Sequence, residues 1–533
     1  MRQEAVHTGR DGGGRDSGIS LAELLAAFSF AMDLGLDQPM EHVLRSWRLA
    51  ARLGERVGLV AEQRADLYYT AVLAWVGCIA DAPEVSAWFG DDIAFRADSY
   101  RVDLRGLGGA TFMLSHAGSA GPLLNRVRKT ATLIATGGRD IEQGLMSHCL
   151  NTSTMAERLG LDAAVGDALR QFFARWDGNG VPAGLGGEAI ALPMRLFHLA
   201  DVAEVVHRDA GVDAAVHVAT SRRGTQFDPA VVDAFCAAAG DLLSDDDDES
   251  DCHALIAAEP ALQRRLTEDQ LDSALEVFAD FTDLRSPHRA GHSRGVAELA
   301  ERAAKIAGLT EGDAVLVRRA ALLHDIGLHG VPATIMDKPG KLSASDHERL
   351  RLSSYYTERV LARPGPVARI GAVAALAYER MDGSGAHRGL SGPSIPVTGR
   401  ILAAADCHRA MTEPRPYRPA LSAKAAGAEL RAEVRRGRLD AAAVDAVLEA
   451  AGGPRHRRRV GPDGLTPREI EVLGLIARGA STRQVASTLG ISPKTAGTHI
   501  ERIYTKTGSS TRSTATLYAI THGLLDTLTE AEK

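Results

Sequence analysis

Apolar positions recur at helical spacing from about Leu21 onward, and long stretches rich in alanine, leucine and arginine carry that period through most of the chain. His42 to Leu59 and His292 to Leu309 each read as an amphipathic helix closed by a Gly-Leu pair. Near the C-terminus the punctuation predicts four helices. Thr466-Pro467-Arg468-Glu469 supplies an N-cap, a first-turn proline and a capping-box glutamate, and Ser481-Thr482-Arg483-Gln484 repeats the box. Gly479 and Gly490 stop these two helices, Ser492-Pro493 starts a third that runs to about Lys506 before Gly508, and Thr511 can cap the fourth. In the third, Ala496, Ile500 and Ile503 share one face and leave Lys494, Thr495, Thr498 and Arg502 on another. The expected fold class is all-α.

Superimposing the sequence on itself exposes a repeat. At an offset of 250, His42, Leu49, Ala50, Arg52, Gly58 and Leu59 fall on His292, Leu299, Ala300, Arg302, Gly308 and Leu309. At an offset of 205, Asp177 to Asp201 falls on Asp382 to Asp406 with 10 identities in 25 positions. The first copy therefore carries 45 extra residues between these anchors, and Arg105 to Arg126 is the expected place for part of them.

Charge divides the chain. Residues 454–533 hold 12 Lys/Arg against 7 Asp/Glu, while the remainder holds 49 against 61. A basic tail on an acidic body points to a polyanionic partner for the tail alone. The acidic run Ser244 to Asp251 and the basic run Pro454 to Pro462 read as solvated linkers. The boundaries expected are a flexible leader over 1–18, a first copy over 19–240, an acidic linker over 241–262, a second copy over 263–453, a basic linker over 454–464 and a tail domain over 465–533. Five scattered cysteines without a C-x-x-C pair argue against a disulfide framework or a zinc ribbon. With no signal-peptide pattern and no run of 18 or more apolar residues, the expectation is a cytoplasmic protein with no membrane partner.

The second copy concentrates metal-ligand chemistry. His292, the doublet His324-Asp325 at the end of an apolar run, and Asp406 after Ile401-Leu402-Ala403-Ala404-Ala405 could hold one divalent ion. Two imidazoles and two carboxylates suit Fe, Mn or Zn, with positions left for water and a phosphate oxygen. These residues resemble the HD phosphohydrolase superfamily, an all-helical metal-dependent group. GHSRGVAELA, ALLHDIG, VPATIMDKPGKLS, ERMDGSGAHRGLSG and RPYRPALS are closer still to its HD-GYP subfamily of cyclic dinucleotide phosphodiesterases. The departures bear on activity. Leu328 stands where that subfamily has a phosphate-reaching lysine, Ser353 where it has a metal histidine, and Ala377 and Tyr378 where it has paired histidines; its Gly-Tyr-Pro triplet is Gly385-Ala386-His387. His288 is a possible fifth ligand. The resemblance leaves a one-metal set with Asp325 as the candidate catalytic carboxylate, and two-metal hydrolysis unsupported. In the first copy the doublet positions are Ala74 and Trp75 and the paired-histidine positions Phe172 and Phe173; His42, His148 and Asp201 survive, with structural roles expected and a small-molecule pocket as the alternative.

Residues 482–489 and 493–506 form a helix-turn-helix pattern, whose second helix fits the DNA major groove. LTPREIEVLGLIARGASTRQVASTLGISPKTAGTHIERIYTKTGSSTR resembles the LuxR-type DNA-binding domain nearly end to end. The resemblance implies that Lys494, Thr495, Thr498 and Arg502 face bases or nearby phosphates, while Thr482, Lys506 and Arg512 grip the backbone. In this family the fourth helix often dimerises; Ala515, Tyr518, Ala519 and Leu525 offer a small apolar stripe that could serve a homodimer on DNA or pack on its own domain. The reading is a transcriptional regulator of double-stranded DNA with two HD-GYP-like domains that sense or scaffold, with a nucleotide or phosphate ester as the possible ligand. The alternative is a one-metal phosphohydrolase with a regulatory DNA-binding tail.

Overall fold

Each copy of the repeat opens on a helix that ends in a buried aspartate, and this aspartate sets the start of the next helix. The computed structural model describes residues 15–118, 123–136, 139–244, 249–362, 366–452 and 462–525. In the first copy the helix Leu21–Gly35 ends beside His42–Val57, and Asp33 accepts the backbone N–H groups of Glu41 and Val43. In the second, Glu268–Asp283 precedes His292–Ile306, and Asp283 accepts the N–H and hydroxyl of Ser293. The carboxylates satisfy N–H groups that a helix start leaves free, and they extend the 250-residue offset to a pair the sequence comparison did not mark. Gly58 (φ 84°) and Gly308 (φ 77°) close both helices in the left-handed region.

The helices Ala61–Leu73 and Glu311–Leu323 follow, and Leu192–Ala210 and Val397–Thr412 pack on the histidine-bearing helices of their own copies. The extra residues of the first copy include the helices Asp92–Ser99, Gly106–His116 and Leu123–Thr136, which places the insertion around the expected segment.

The copies embrace reciprocally. Leu21–Gly35 packs on residues 326–330 and on Ala344–Leu361 of the second copy, while Glu268–Asp283 packs on Gly77–Ala80 and Arg139–Arg158 of the first. Phe28 and Phe278 stack between them with centroids 4.2 Å apart. Ahead of the first helix, Asp16–Ser20 pairs antiparallel with Arg265–Thr267 as a two-stranded sheet. The end of the expected leader is therefore ordered, because its backbone finds a partner some 250 residues away in sequence that no local pattern signals; residues 1–14 lie outside the described residues. The expected acidic linker is also partly built. Glu249–Ala258 is helical, and Cys252, Ile256 and Leu262 are buried; apolar positions after the acidic run outweigh its solvation, and residues 245–248 lie outside the described residues.

A buried ionic chain joins the copies. Asp92 pairs with Arg96 (2.8 Å) and across the interface with Arg285 (3.0 Å), and it accepts the N–H of Ala333. Arg285 also donates to the carbonyl of Val331. Burial would raise the Asp92 carboxyl, but Arg285 and Arg96 outweigh it and hold the group below its ordinary value.

The tail forms four helices, Pro467–Ala477, Thr482–Leu489, Pro493–Thr507 and Arg512–Thr521, capped by Thr466, Ser481, Ser492 and Thr511. It rests on both copies. Ser147 bonds Thr511 (2.6 Å) and Ser513 (3.0 Å), Gly479 lies against Pro287, and Gly291 lies against Leu525. The basic stretch 453–461, which includes most of the expected linker, lies outside the described residues. Among the described residues no single helix is long and apolar enough to cross a membrane.

Removing Asp92 leaves the buried Arg285 guanidinium without a carboxylate partner, while Arg96 keeps Asp81, so Asp92→Ala should cost about 3–5 kcal/mol. Urea unfolding of wild type and variant measures it; a loss below about 1 kcal/mol would contradict the bridging role.

Candidate metal centre and nucleic-acid interface

The four expected ligands of the second copy come together from three helical segments. His292 begins its helix, His324 and Asp325 close Glu311–Leu323, and Asp406 lies in Val397–Thr412; all four are buried. His292 Nε2 stands 3.1 Å from Asp406 Oδ1 and 3.8 Å from Asp325 Oδ2, and His324 Nε2 stands 3.2 Å from Asp325 Oδ2 and 3.6 Å from Asp406 Oδ1. The outer ring nitrogens are held: His292 Nδ1 by Glu413 at 2.7 Å, and His324 Nδ1 by the carbonyl of Ala321 at 2.7 Å. A carboxylate or carbonyl behind a histidine fixes its tautomer and turns the other nitrogen to a metal. His324 Nε2 has no hydrogen-bond partner, and burial pushes this imidazole's pKa down, which keeps a lone pair available. Burial would raise Asp406, but His292 and His324 hold it well below the carboxylate range. The donor set and its orphaned nitrogen fit a divalent ion.

Several neighbours carry no marked signal in the sequence pattern. Arg289, on the loop before His292, ion-pairs with Asp325 Oδ2, and Arg415 contacts both Glu413 and the carbonyl of His288. Arg415 belongs to the RPYRPALS text that resembles the HD-GYP subfamily, and Glu413 lies just ahead of it, so that motif is the signal that could have found them. Tyr378, where the resemblance leads one to expect a metal histidine, donates its hydroxyl to Asp325 Oδ1 at 2.6 Å. Leu328 is buried, and Ser353 turns its hydroxyl to the carbonyl of Leu350. The atoms that converge belong to His292, His324 and Asp325, with Asp406 beside them; the possible fifth ligand, His288, is not in the cluster.

The first copy is filled differently. Trp75 takes the doublet position and donates its indole N–H to Asp201 (3.1 Å). His42 stands 2.5 Å from Glu204 and 3.2 Å from Asp201. His148 stacks on Phe172. Burial opposes protonation of His42, but Glu204 and Asp201 prevail and push its pKa up to about 10. His42 is thus engaged by Glu204 and Asp201, and Asp201 also by Trp75.

On the tail, Lys494, Thr495, Thr498 and Arg502 are exposed on one face of Pro493–Thr507, and Thr482 is half-buried at the start of its helix. Lys506 is engaged by Glu469 (2.7 Å) and the carbonyl of Gly464, and Arg512 donates to the carbonyls of Gly479 and Ala480. The stripe on the fourth helix is covered by its own chain: Ala515, Ala519 and Leu525 are buried, and Tyr518 bonds Asp463.

Residues 276–443 match the HD domain family model, and residues 463–519 match that of bacterial regulatory proteins of the luxR family. The chain is a LuxR-type DNA-binding domain fused to an HD phosphodiesterase-like domain. The chain is 29% identical over 410 residues to the 3'3'-cGAMP-specific phosphodiesterase 3 of Vibrio cholerae, covering 75% of this chain and 88% of that protein. It is 34% identical over 196 residues to phosphodiesterase 1 of the same organism, covering 36% of this chain and 45% of that protein. The tail is 45% identical over 65 residues to the transcriptional regulatory protein MctR of Rhizobium johnstonii, 12% of this chain and 30% of that one. The crystal structure of the V. cholerae cyclic GMP-AMP specific phosphodiesterase V-cGAP3 superimposes with a TM-score of 0.57 at 25% identity, covering 82% of this chain and 99% of that one. HD domains of this phosphodiesterase type bind divalent metals, and the LuxR-type domain implies DNA binding.

Because the folded pKa of His42 is raised, its stabilisation is fully present below about pH 6.5 and is lost as pH rises through about 10. His42→Ala should therefore lower stability by about 3–5 kcal/mol at pH 6, and by much less at pH 10.5. Chemical denaturation at both values tests this; an equal loss would show that the pair adds nothing.

Proposed function

We propose that this protein is a transcriptional regulator of double-stranded DNA in which the second HD domain senses a ligand and controls the LuxR-type reader through direct contact. His292, His324, Asp325 and Asp406 would hold a single divalent ion of the Fe, Mn or Zn class. Bound there, such an ion supplies Lewis acidity toward a phosphate oxygen. Arg289 and Arg415 add positive charge beside it, which suits a nucleotide or phosphate ester.

One observation carries the coupling. Arg289, paired with Asp325, belongs to the loop whose Pro287 and Gly291 touch Gly479 and Leu525 of the tail. A cation or phosphate drawing Asp325 or Arg289 away from this pair shifts the surface on which the reader rests, so docked and released states differ in ligand affinity. Lys494, Thr495, Thr498 and Arg502 would meet bases or phosphates, with Thr482, Lys506 and Arg512 at the backbone once the latter two exchange their internal partners. Release would free Leu525 of that stripe from Gly291, and this end of the domain would join two readers as a homodimer on DNA.

A second reading, a one-metal phosphohydrolase with a regulatory tail, draws on Glu413 behind His292 and on the paired arginines. Asp325 would then be the catalytic carboxylate. Turnover of a cyclic dinucleotide that is lost in His324→Ala/Asp325→Ala would favour it.

Elemental mass spectrometry of the full chain should find Fe, Mn or Zn that is depleted in His324→Ala/Asp325→Ala. With a DNA fragment selected by the wild type, anisotropy titrations should give affinities that change on adding Mn(II), and not in the double variant. Identical affinities throughout would refute control by the second HD domain. Lys494→Ala and Arg502→Ala should each weaken binding, and a variant that no longer neutralises one phosphate should show a salt slope reduced by about 1. Salt-independent binding would exclude groove docking.

A further inference from the structure

The first copy, although stripped of the doublet, gathers a different set of ligands. Cys78 lies on the short helix Gly77–Ala80, Asp81 follows it, and His148 projects from Arg139–Arg158. One ligand atom from each lies within 4.8 Å of the other two, and all three residues are buried. Only His148 belongs to the positions carried over from the HD pattern. Cys78 and Asp81 are new to it, with Cys78 at the repeat position of Leu328.

The spacing around the cluster is also that of ligands on one ion. His148 Nε2 donates to the carbonyl of Ala74 at 2.8 Å, which turns Nδ1 toward Asp81 Oδ2 at 3.3 Å. Charge-assisted hydrogen bonds of this kind run about 2.7–2.9 Å. Two ligands placed about 2.0–2.1 Å from a tetrahedral zinc stand about 3.3–3.4 Å apart. The other oxygen of Asp81 is taken by Arg96 at 2.5 Å, so both the imidazole and the carboxylate already have the outer partners that orient metal ligands. Glycine at 77 is required for this approach, since a Cβ there would come within 2.4–2.6 Å of the His148 ring.

Cys78 and Asp81 also line a cavity of about 980 Å³ with Trp75, Trp88, Phe173 and, from the DNA-binding domain, Arg512. Three protein ligands beside such a space leave a fourth position for water or a small molecule.

We propose that Cys78, Asp81 and His148 bind a zinc ion whose fourth position faces this cavity. Thiolate with imidazole and carboxylate selects zinc over harder ions. The site is independent of the second HD domain, whose four ligands include no sulfur, and it would stand if that domain bound nothing.

The full-length wild-type protein, stripped and reloaded with Co(II), tests this. A thiolate-to-cobalt charge-transfer absorption in the near ultraviolet is expected, and it should disappear in Cys78→Ser, which leaves the second HD domain, including Cys407 beside Asp406, unchanged. Zinc content after zinc loading should fall by about one ion per chain in Cys78→Ser and in His148→Gln. Circular dichroism identifies a variant that has lost its fold, and absence of the absorption from the wild type decides the question without any variant. A wild-type spectrum without the thiolate absorption, or zinc content unchanged by Cys78→Ser, would leave an Asp81–His148 ion pair beside a neutral thiol and overturn the proposal.

Discussion

The carboxylate of Asp92, shared between Arg96 of its own copy and Arg285 of the other, is the constraint from which the rest of the architecture hangs. Arg96 leads to Asp81 and thence to His148, next to which Ser147 carries the reader. Arg285 leads to Val331 and to the loop bearing Pro287, Arg289 and Gly291. Charges so deeply buried persist only when each has its partner. The two copies and the seam under the tail therefore share one polar framework.

Within that framework the same helices serve different chemistry. Both copies place a histidine at the start of a helix against an aspartate on a later one, and in both a glutamate, Glu204 or Glu413, takes the histidine's outer nitrogen. What separates them is the doublet. In the first copy an indole occupies its place and consumes Asp201, so the histidine becomes a cation locked in an ion pair. In the second, His324 keeps an unpartnered nitrogen facing two carboxylates.

Local signals were legible in the sequence, and distant pairings were not. The caps Thr466, Ser481, Ser492 and Thr511 placed every tail helix, because capping is settled within four residues. Ligand chemistry and the resemblance to the HD superfamily brought His292, His324, Asp325 and Asp406 into one candidate site. By contrast, Arg289 and Asp92 owe their roles to partners far along the chain, and Asp16–Ser20 becomes a strand only because Arg265–Thr267 lies beside it. The stripe on the fourth helix was ambiguous for a physical reason: small apolar side chains look alike whether they cover their own chain or a partner. Cys78 and Asp81 carry no periodic signal, since His148 stands a whole insertion away.

The reciprocal crossing of Leu21–Gly35 and Glu268–Asp283 has the form of a two-fold dimer interface drawn within a single polypeptide. Joining the halves covalently makes their association unimolecular, at an effective concentration fixed by the connection and not by the number of molecules in the cell. The body is therefore equally well assembled at one copy per cell or at thousands.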